Sequence, residues 1–126
     1  MTDNINPSHY KTGPFECIEL TRLLSFDWGN VVKYAYRWQH KNGVEDLKKA
    51  ERYIRHALDH NIPFIAAWSP KDEDVRDVIA RKLLRRLYLE DWASLGLFWQ
   101  YLARGDRVNV LEILKDKTEQ VEKEGK

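Results

Sequence analysis

Residues 28–53, WGNVVKYAYRWQHKNGVEDLKKAERY, carry the two periodicities on which the fold turns. Place Asn30 at the zero of a helical wheel advancing about 100° per residue. Asn30, Lys33, Tyr34, Arg37 and Lys41 then share one arc, while Val31, Val32, Ala35 and Trp38 lie on the opposite side. This predicts a helix with an apolar back and a front of one amide, one phenol and three cations. A solvated helix face ordinarily mixes its signs, yet no carboxylate stands between Asn30 and Lys41. Such a face suits an anion, phosphate groups above all. A basic outer face paired with acids from elsewhere in the fold accounts for the same pattern.

Beyond Lys41-Asn42-Gly43, where glycine offers a left-handed cap or turn, the period resumes. Leu47, Ala50, Ile54, Ala57 and Leu58 form the buried stripe of a helix over about 44–60. Asp46, Lys49, Tyr53, His56 and His60 line one flank of it. His56 and His60 have the i, i+4 spacing of a two-histidine metal face, but no Glu or Cys completes a zinc signature. They are read as surface histidines.

Upstream, Pro14 suits a first helical turn, and a helix is expected from Phe15 to about Leu24. Glu16 and Glu19 share a face with Leu20 and Leu23. Two carboxylates there suit Mg²⁺ with substrate phosphates, acid–base work, or ion pairs with the central helix. Asp27, after the break at Ser25-Phe26, is a candidate N-cap. Residues 1–14 form an irregular arm in which the turn dipeptides Asn6-Pro7 and Gly13-Pro14 flank His9 and Tyr10. These two either reach a ligand or strap the domain.

Downstream, Asn61–Trp68 reads as a short apolar linker. Ser69-Pro70-Lys71-Asp72 starts a helix whose expected buried stripe is Val75, Val78, Ile79, Leu83 and Leu87. Its basic cluster, Arg81, Lys82, Arg85 and Arg86, would suit nucleic acid, but Asp77 stands ready to pair with Arg81 and nucleic acid is disfavoured as a partner. Trp92–Leu102 is apolar nearly all round, hence buried in the domain or in an oligomer interface. After the turn at Arg104-Gly105-Asp106, an amphipathic helix runs from Val108 to about Val121. No stretch alternates with period two. The expected fold is all-α: a compact bundle of about five to six helices with an irregular N-terminal arm. Residues 1–60 make its first part and 61–126 a helical extension packed on it.

Bulk properties narrow the function classes. The 126 residues are 43% hydrophobic, include five Trp and six Tyr, and carry a formal net charge of +1. No global field therefore recruits nucleic acid or an acidic membrane, so electrostatic specificity must be local. One cysteine, Cys17, excludes an internal disulfide and a cysteine-built zinc site. No window has the apolar length of a membrane span, and residues 1–13 lack the basic and apolar regions expected of a secretory signal. A cytoplasmic, homo-oligomeric protein is expected. None of the six glycines stands in a P-loop or a dinucleotide fingerprint, so nucleotide, if bound, is held by helix faces and side chains.

Four blocks now bear on family. NPSHY at Asn6–Tyr10, FECIEL at Phe15–Leu20, GNVVKYAYR at Gly29–Arg37 and EDLKKAERY at Glu45–Tyr53 occur in this order and spacing. Together they resemble a small phage-encoded family, domain of unknown function 3310, also called SaV-like or phage nucleotide kinase-like. The resemblance covers about residues 5–60. It implies phosphoryl transfer to deoxynucleoside monophosphates without a P-loop, from a nucleoside triphosphate donor. The matched positions are His9, Tyr10, Asn30, Lys33, Tyr34, Arg37, Asp46 and Lys49. Lys33 and Arg37 would clamp phosphates; Glu16, Glu19 or Asp46 would hold Mg²⁺ or orient the acceptor.

Two other readings stand beside it. Glu16 and Glu19 match the first half of the paired motif of Mg²⁺-dependent nucleotide pyrophosphohydrolases, but Glu45 is followed three residues later by Lys48, so the second half is missing. A non-enzymatic helical module binding a host protein or nucleic acid would use Trp92–Leu102 and the cluster at Arg81–Arg86.

Overall fold

A computed structural model describes residues 13–125. Among these residues the chain is all-α, with six α-helices, two short 3₁₀ turns and no strand beyond a single bridge. His9 and Tyr10 lie outside the described residues.

Helix α1, Cys17–Thr21, is shorter than its apolar pattern suggests. Its N-terminus is tied by the Glu16 amide, which donates to a Glu19 carboxylate oxygen at 3.1 Å. Its expected continuation to Leu24 is lost to a competing partner. The apolar linker lies alongside as an extended strap: the Ser25 amide donates to the Phe64 carbonyl at 2.9 Å, and the Ala66 amide to that of Leu23 at 3.0 Å. Backbone groups satisfied this way cannot also extend a helix.

Helix α2, Phe26–Arg37, begins at Ser25 and not at Asp27. Asp27 sits inside the first turn and is buried. The chain tightens into a 3₁₀ turn over Trp38–His40, so Lys41 leaves the arc that Asn30, Lys33, Tyr34 and Arg37 share. Gly43 takes φ +59°, as the sequence anticipated. Helix α3, Val44–Asp59, then runs back antiparallel to α2. Cross-contacts record the direction: Arg37 meets Asp46, Tyr34 meets Lys49 and Tyr53, and Asp27 meets His56.

Helix α4, Pro70–Leu89, starts as predicted, with the Ser69 hydroxyl accepting from the Asp72 amide at 3.1 Å. Its expected buried stripe holds at Leu83 and Leu87 and fails in the first half of the helix. Ala80, Leu84 and Leu87 are buried, whereas Val75 (54% exposed), Val78 and Ile79 face outward. The reason is length. Twenty residues rise about 30 Å, but α5, Gly96–Arg104, has only nine to pack against them. The first turns of α4 overhang, and Trp68, 91% exposed, lies just before them.

Between α4 and α5 the backbone folds sharply, with positive φ at Asp91, Ala93 and Ser94 and the Gly96 amide donating to Asp91 at 2.8 Å. Phe98, Trp99 and Leu102 of α5 are buried in the domain, whereas Leu97 faces outward. Gly105 closes α5 at φ +82°, and α6, Arg107–Glu124, starts at Asp106, which accepts from the Asn109 amide at 3.1 Å. Helix α6 packs along α3, where Thr118 donates to Glu51 at 2.6 Å and Lys48 pairs with Glu122 at 2.9 Å.

One hydrophobic cluster reaches from Phe15 to Leu114 and draws on both parts of the chain. Indole N–H groups tie distant segments to it. Trp28 donates to the Ile62 carbonyl at 3.1 Å, Trp38 to Ala93 at 3.0 Å, and Trp92 to Tyr36 at 2.9 Å. The bond to Ala93 is buried, so it satisfies a carbonyl that the core would otherwise strand. Among the described residues no helix is long and apolar enough to cross a membrane.

Candidate functional site

Antiparallel packing of α2 on α3 lays the polar front of one helix beside the polar flank of the other. On α2, Phe26, Asn30, Lys33, Tyr34 and Arg37 recur every three or four residues; on α3, Asp46, Lys49, Tyr53 and His56 do the same. The result is a single strip along the seam between the two helices. It divides into three stations.

At one end Arg37 and Asp46 form a bidentate pair. Arg37 Nε donates to Asp46 Oδ2 at 3.2 Å, and Nη2 to Oδ1 at 3.3 Å. Asp46 is fully buried and also accepts from the Asn42 amide at 3.2 Å. Burial pushes its carboxyl up, but the hydrogen bonds from Arg37 and Asn42 and the guanidinium charge outweigh that and hold it below the usual carboxylate range. Its oxygens are already engaged, so Asp46 sets the position of Arg37.

The middle station is the Tyr34 ring. It stacks on Tyr53 with centroids 6.1 Å apart and planes 15° from parallel. Lys33 Nζ lies 4.6 Å from its centroid, Arg37 Cζ 4.9 Å and Lys49 Nζ 5.3 Å. Three cations thus gather on one phenol, an arrangement that the ring quadrupole favours. Among the described residues neither Lys33 nor Lys49 has a carboxylate within ion-pair distance. Asn30 spends its amide N–H on the Phe26 carbonyl at 2.9 Å, leaving its oxygen outward. With Lys33, Thr21 and Ser25 it lines a hollow of about 290 Å³. The Ser25 hydroxyl there is buried and has no protein partner among the described residues.

The far station was not legible in the sequence. His56 Nδ1 lies 2.5 Å from Asp27 Oδ2. A carboxylate only accepts, so Nδ1 carries the proton and Nε2 is left outward. Asp27 is buried, while the His56 side chain is 55% exposed. Phe26, Arg52 and Tyr53 join the pair around a cleft of about 430 Å³, with Phe26 76% exposed at its rim. His60 stacks on His56 with ring centroids 4.2 Å apart and its Nδ1 bonds the His56 carbonyl, so it supports the ring.

Glu16 and Glu19 are placed elsewhere. They line a separate cleft of about 490 Å³ with Pro14, Phe15 and Arg86. Arg86 reaches over the Phe15 ring and donates to the Pro14 carbonyl at 2.6 Å. Neither glutamate pairs with a cation of α2 among the described residues. Nor, among those residues, do three or more His, Cys, Asp or Glu side chains converge on one point. Cys17 is half-buried, and burial outweighs the charges of Lys33 and Arg37 and pushes its thiol up to about 12.

Residues 5–55 match the family described as a protein of unknown function (DUF3310). No curated protein and no solved structure matches the chain.

Proposed function

We propose, taking residues 5–55 as of that family, that the seam between α2 and α3 binds the phosphates of a nucleotide. The observation that carries this reading is the Tyr34 station, where Lys33 and Lys49 stand over one ring with no carboxylate among the described residues within ion-pair distance. Lysines in that position present point charges to an incoming anion. The exposed Phe26 and the stacked tyrosines offer flat apolar surface to a base, and the Asn30 side-chain oxygen offers a polar contact. Arg37 contributes through its remaining N–H groups, held in place by Asp46.

The reaction proposed is phosphoryl transfer to a (deoxy)nucleoside monophosphate without a P-loop. Such transfer is largely positioning and charge neutralisation, which a cationic seam supplies. Mg²⁺ commonly takes one or two carboxylates and completes its shell with substrate phosphates and water. Glu16 and Glu19 line a cleft apart from this seam, so they do not fit that role for phosphates held at the Tyr34 station.

The test is a thermal-shift panel of deoxynucleoside mono-, di- and triphosphates with and without Mg²⁺. Ligand at about 100 times Kd adds roughly 2.7 kcal/mol of apparent stability. A shift lost in a Lys33→Ala/Lys49→Ala double variant of unchanged helicity supports the reading; a flat panel overturns it.

One observation favours a second reading, a non-enzymatic interaction module. Trp68, Val75, Val78 and Ile79 form an exposed apolar group at the overhanging start of α4, the kind of patch that marks a protein contact. A host protein or a second copy of the chain would cover it. Sedimentation of the wild type against Val78→Glu separates self-association from a monomer.

A further inference from the structure

The station at Asp27 and His56 combines features that an ordinary surface histidine lacks. A buried carboxylate fixes the imidazole tautomer through Nδ1 at 2.5 Å and leaves the Nε2 lone pair at the exposed edge of the ring. That edge borders the cleft of Phe26, Arg52 and Tyr53. Arg52 enters no ion pair with a described carboxylate, so its guanidinium is available to a ligand in the same cleft. Orienting carboxylate, nucleophilic nitrogen, cation and aromatic platform are the parts of a nucleophilic phosphoryl-transfer site.

We propose that His56 is the catalytic nucleophile of a two-step phosphoryl transfer and carries the phosphoryl group as an Nε2 phosphoramidate. The identity of the donor, a nucleoside triphosphate, rests on the nucleotide reading above. In the first step the Nε2 lone pair attacks the terminal phosphorus and an N–P bond forms. The bond from phosphorus to the bridging oxygen breaks, and its electron pair leaves on the nucleoside diphosphate. The Nδ1 proton stays on the ring, where the Asp27 carboxylate stabilises the positive charge that develops, the role the aspartate plays in a Ser-His-Asp triad. Arg52 faces the phosphoryl oxygens. In the second step a phosphate oxygen of a nucleoside monophosphate attacks the same phosphorus, the N–P bond breaks, and its electron pair returns to Nε2. No net proton is consumed. Tyr53 belongs to both this cleft and the Tyr34 stack, so the nucleotide phosphates at Lys33 and Lys49 and the nucleophile share one seam.

The experiment incubates the full chain with Mg²⁺ and ATP, and separately with Mg²⁺ and dTTP, quenches at alkaline pH and maps phosphoryl groups by mass spectrometry. The expected result is one acid-labile phosphoryl group on His56, at least tenfold above the level in His56→Gln. Because His56 is exposed, that variant is expected to keep its fold, which circular dichroism checks; Asp27→Asn should lower the yield while leaving the site of modification unchanged. Modification at other positions, or equal labelling of His56→Gln, overturns the proposal. An unlabelled wild type that nucleotides still stabilise overturns it and leaves the nucleotide reading standing. An unlabelled wild type with a flat thermal-shift panel removes both. Label on His56 without stabilisation that depends on Lys33 keeps this proposal and removes the Tyr34 station as the phosphate site.

Discussion

Arg37 of α2 holds Asp46 of α3 through two hydrogen bonds, 3.2 Å and 3.3 Å long, with the carboxylate buried and the guanidinium partly open to solvent. The pair pins the end of the helix seam beside the Gly43 turn. It also separates the cations of the candidate site into one with a structural duty and two without. Removing one partner of a buried pair strands the other and costs about 3–5 kcal/mol. Because Arg37 is partly solvated, about 2–3 kcal/mol is expected for Asp46→Ala or Arg37→Ala. Lys33→Ala, which strands no carboxylate among the described residues, should stay within about 0.5 kcal/mol of wild type. Urea titrations of the three variants check the ordering.

Acid should weaken this same tie. The Asp46 carboxyl is held below its ordinary value in the fold. A carboxylate with a depressed folded pKa binds protons more readily when unfolded, so its contribution is fully present above the unfolded value of about 3.9. It is lost as pH falls from there through the folded value. Stability of wild type minus that of Asp46→Asn should therefore be flat at neutral pH and shrink below about pH 4. Chemical denaturation at a series of pH values measures the difference.

The Trp38 indole donates to the Ala93 carbonyl at 3.0 Å, and Ala93 sits in a left-handed backbone conformation between α4 and α5. Trp38→Phe leaves that carbonyl unsatisfied and removes ring volume, for a loss of about 2–3 kcal/mol. Hydrogen exchange should show the turn at 91–95 opening first.

Gly13 is pressed against the Tyr36 hydroxyl, which itself donates to the Phe15 carbonyl. A methyl group there would have to displace the Tyr36 ring or the turn. Gly13→Ala is expected to destabilise by about 1–3 kcal/mol, although the glycine needs no unusual φ. Melting temperature reports it, and a fall of several degrees is anticipated for a chain of this size.

The Ser69 hydroxyl caps α4 through the Asp72 amide. Ser69→Ala should cost about 1 kcal/mol and Ser69→Asp almost nothing, since both Ser and Asp serve as N-caps. Thermal unfolding of the two variants distinguishes capping from a wider loss.

Short-range physics is legible in a sequence, and here it determined a good deal. The 3.6-residue period gave α3 nearly to the residue, the glycine turn at Gly43 and the cap at Ser69 followed from local chemistry, and the carboxylate-free arc of α2 marked Lys33 and Tyr34 before any contact was known. What only the tertiary structure decided was which of these groups meet. Period alone could not tell that α4 outruns its nine-residue partner and leaves Val75, Val78 and Ile79 in water. Nor could it give the strap that ends α1 at Thr21 by taking its neighbours' backbone hydrogen bonds. Asp27 looked like an N-cap and His56 like a solvated histidine, because each was judged against residues close by in the chain. Their bond spans 29 positions and exists only because α3 returns antiparallel along α2. Local propensity specifies helices; which face of one helix confronts which face of another is fixed by burial of the whole core, and that juxtaposition makes a candidate site from separate side chains.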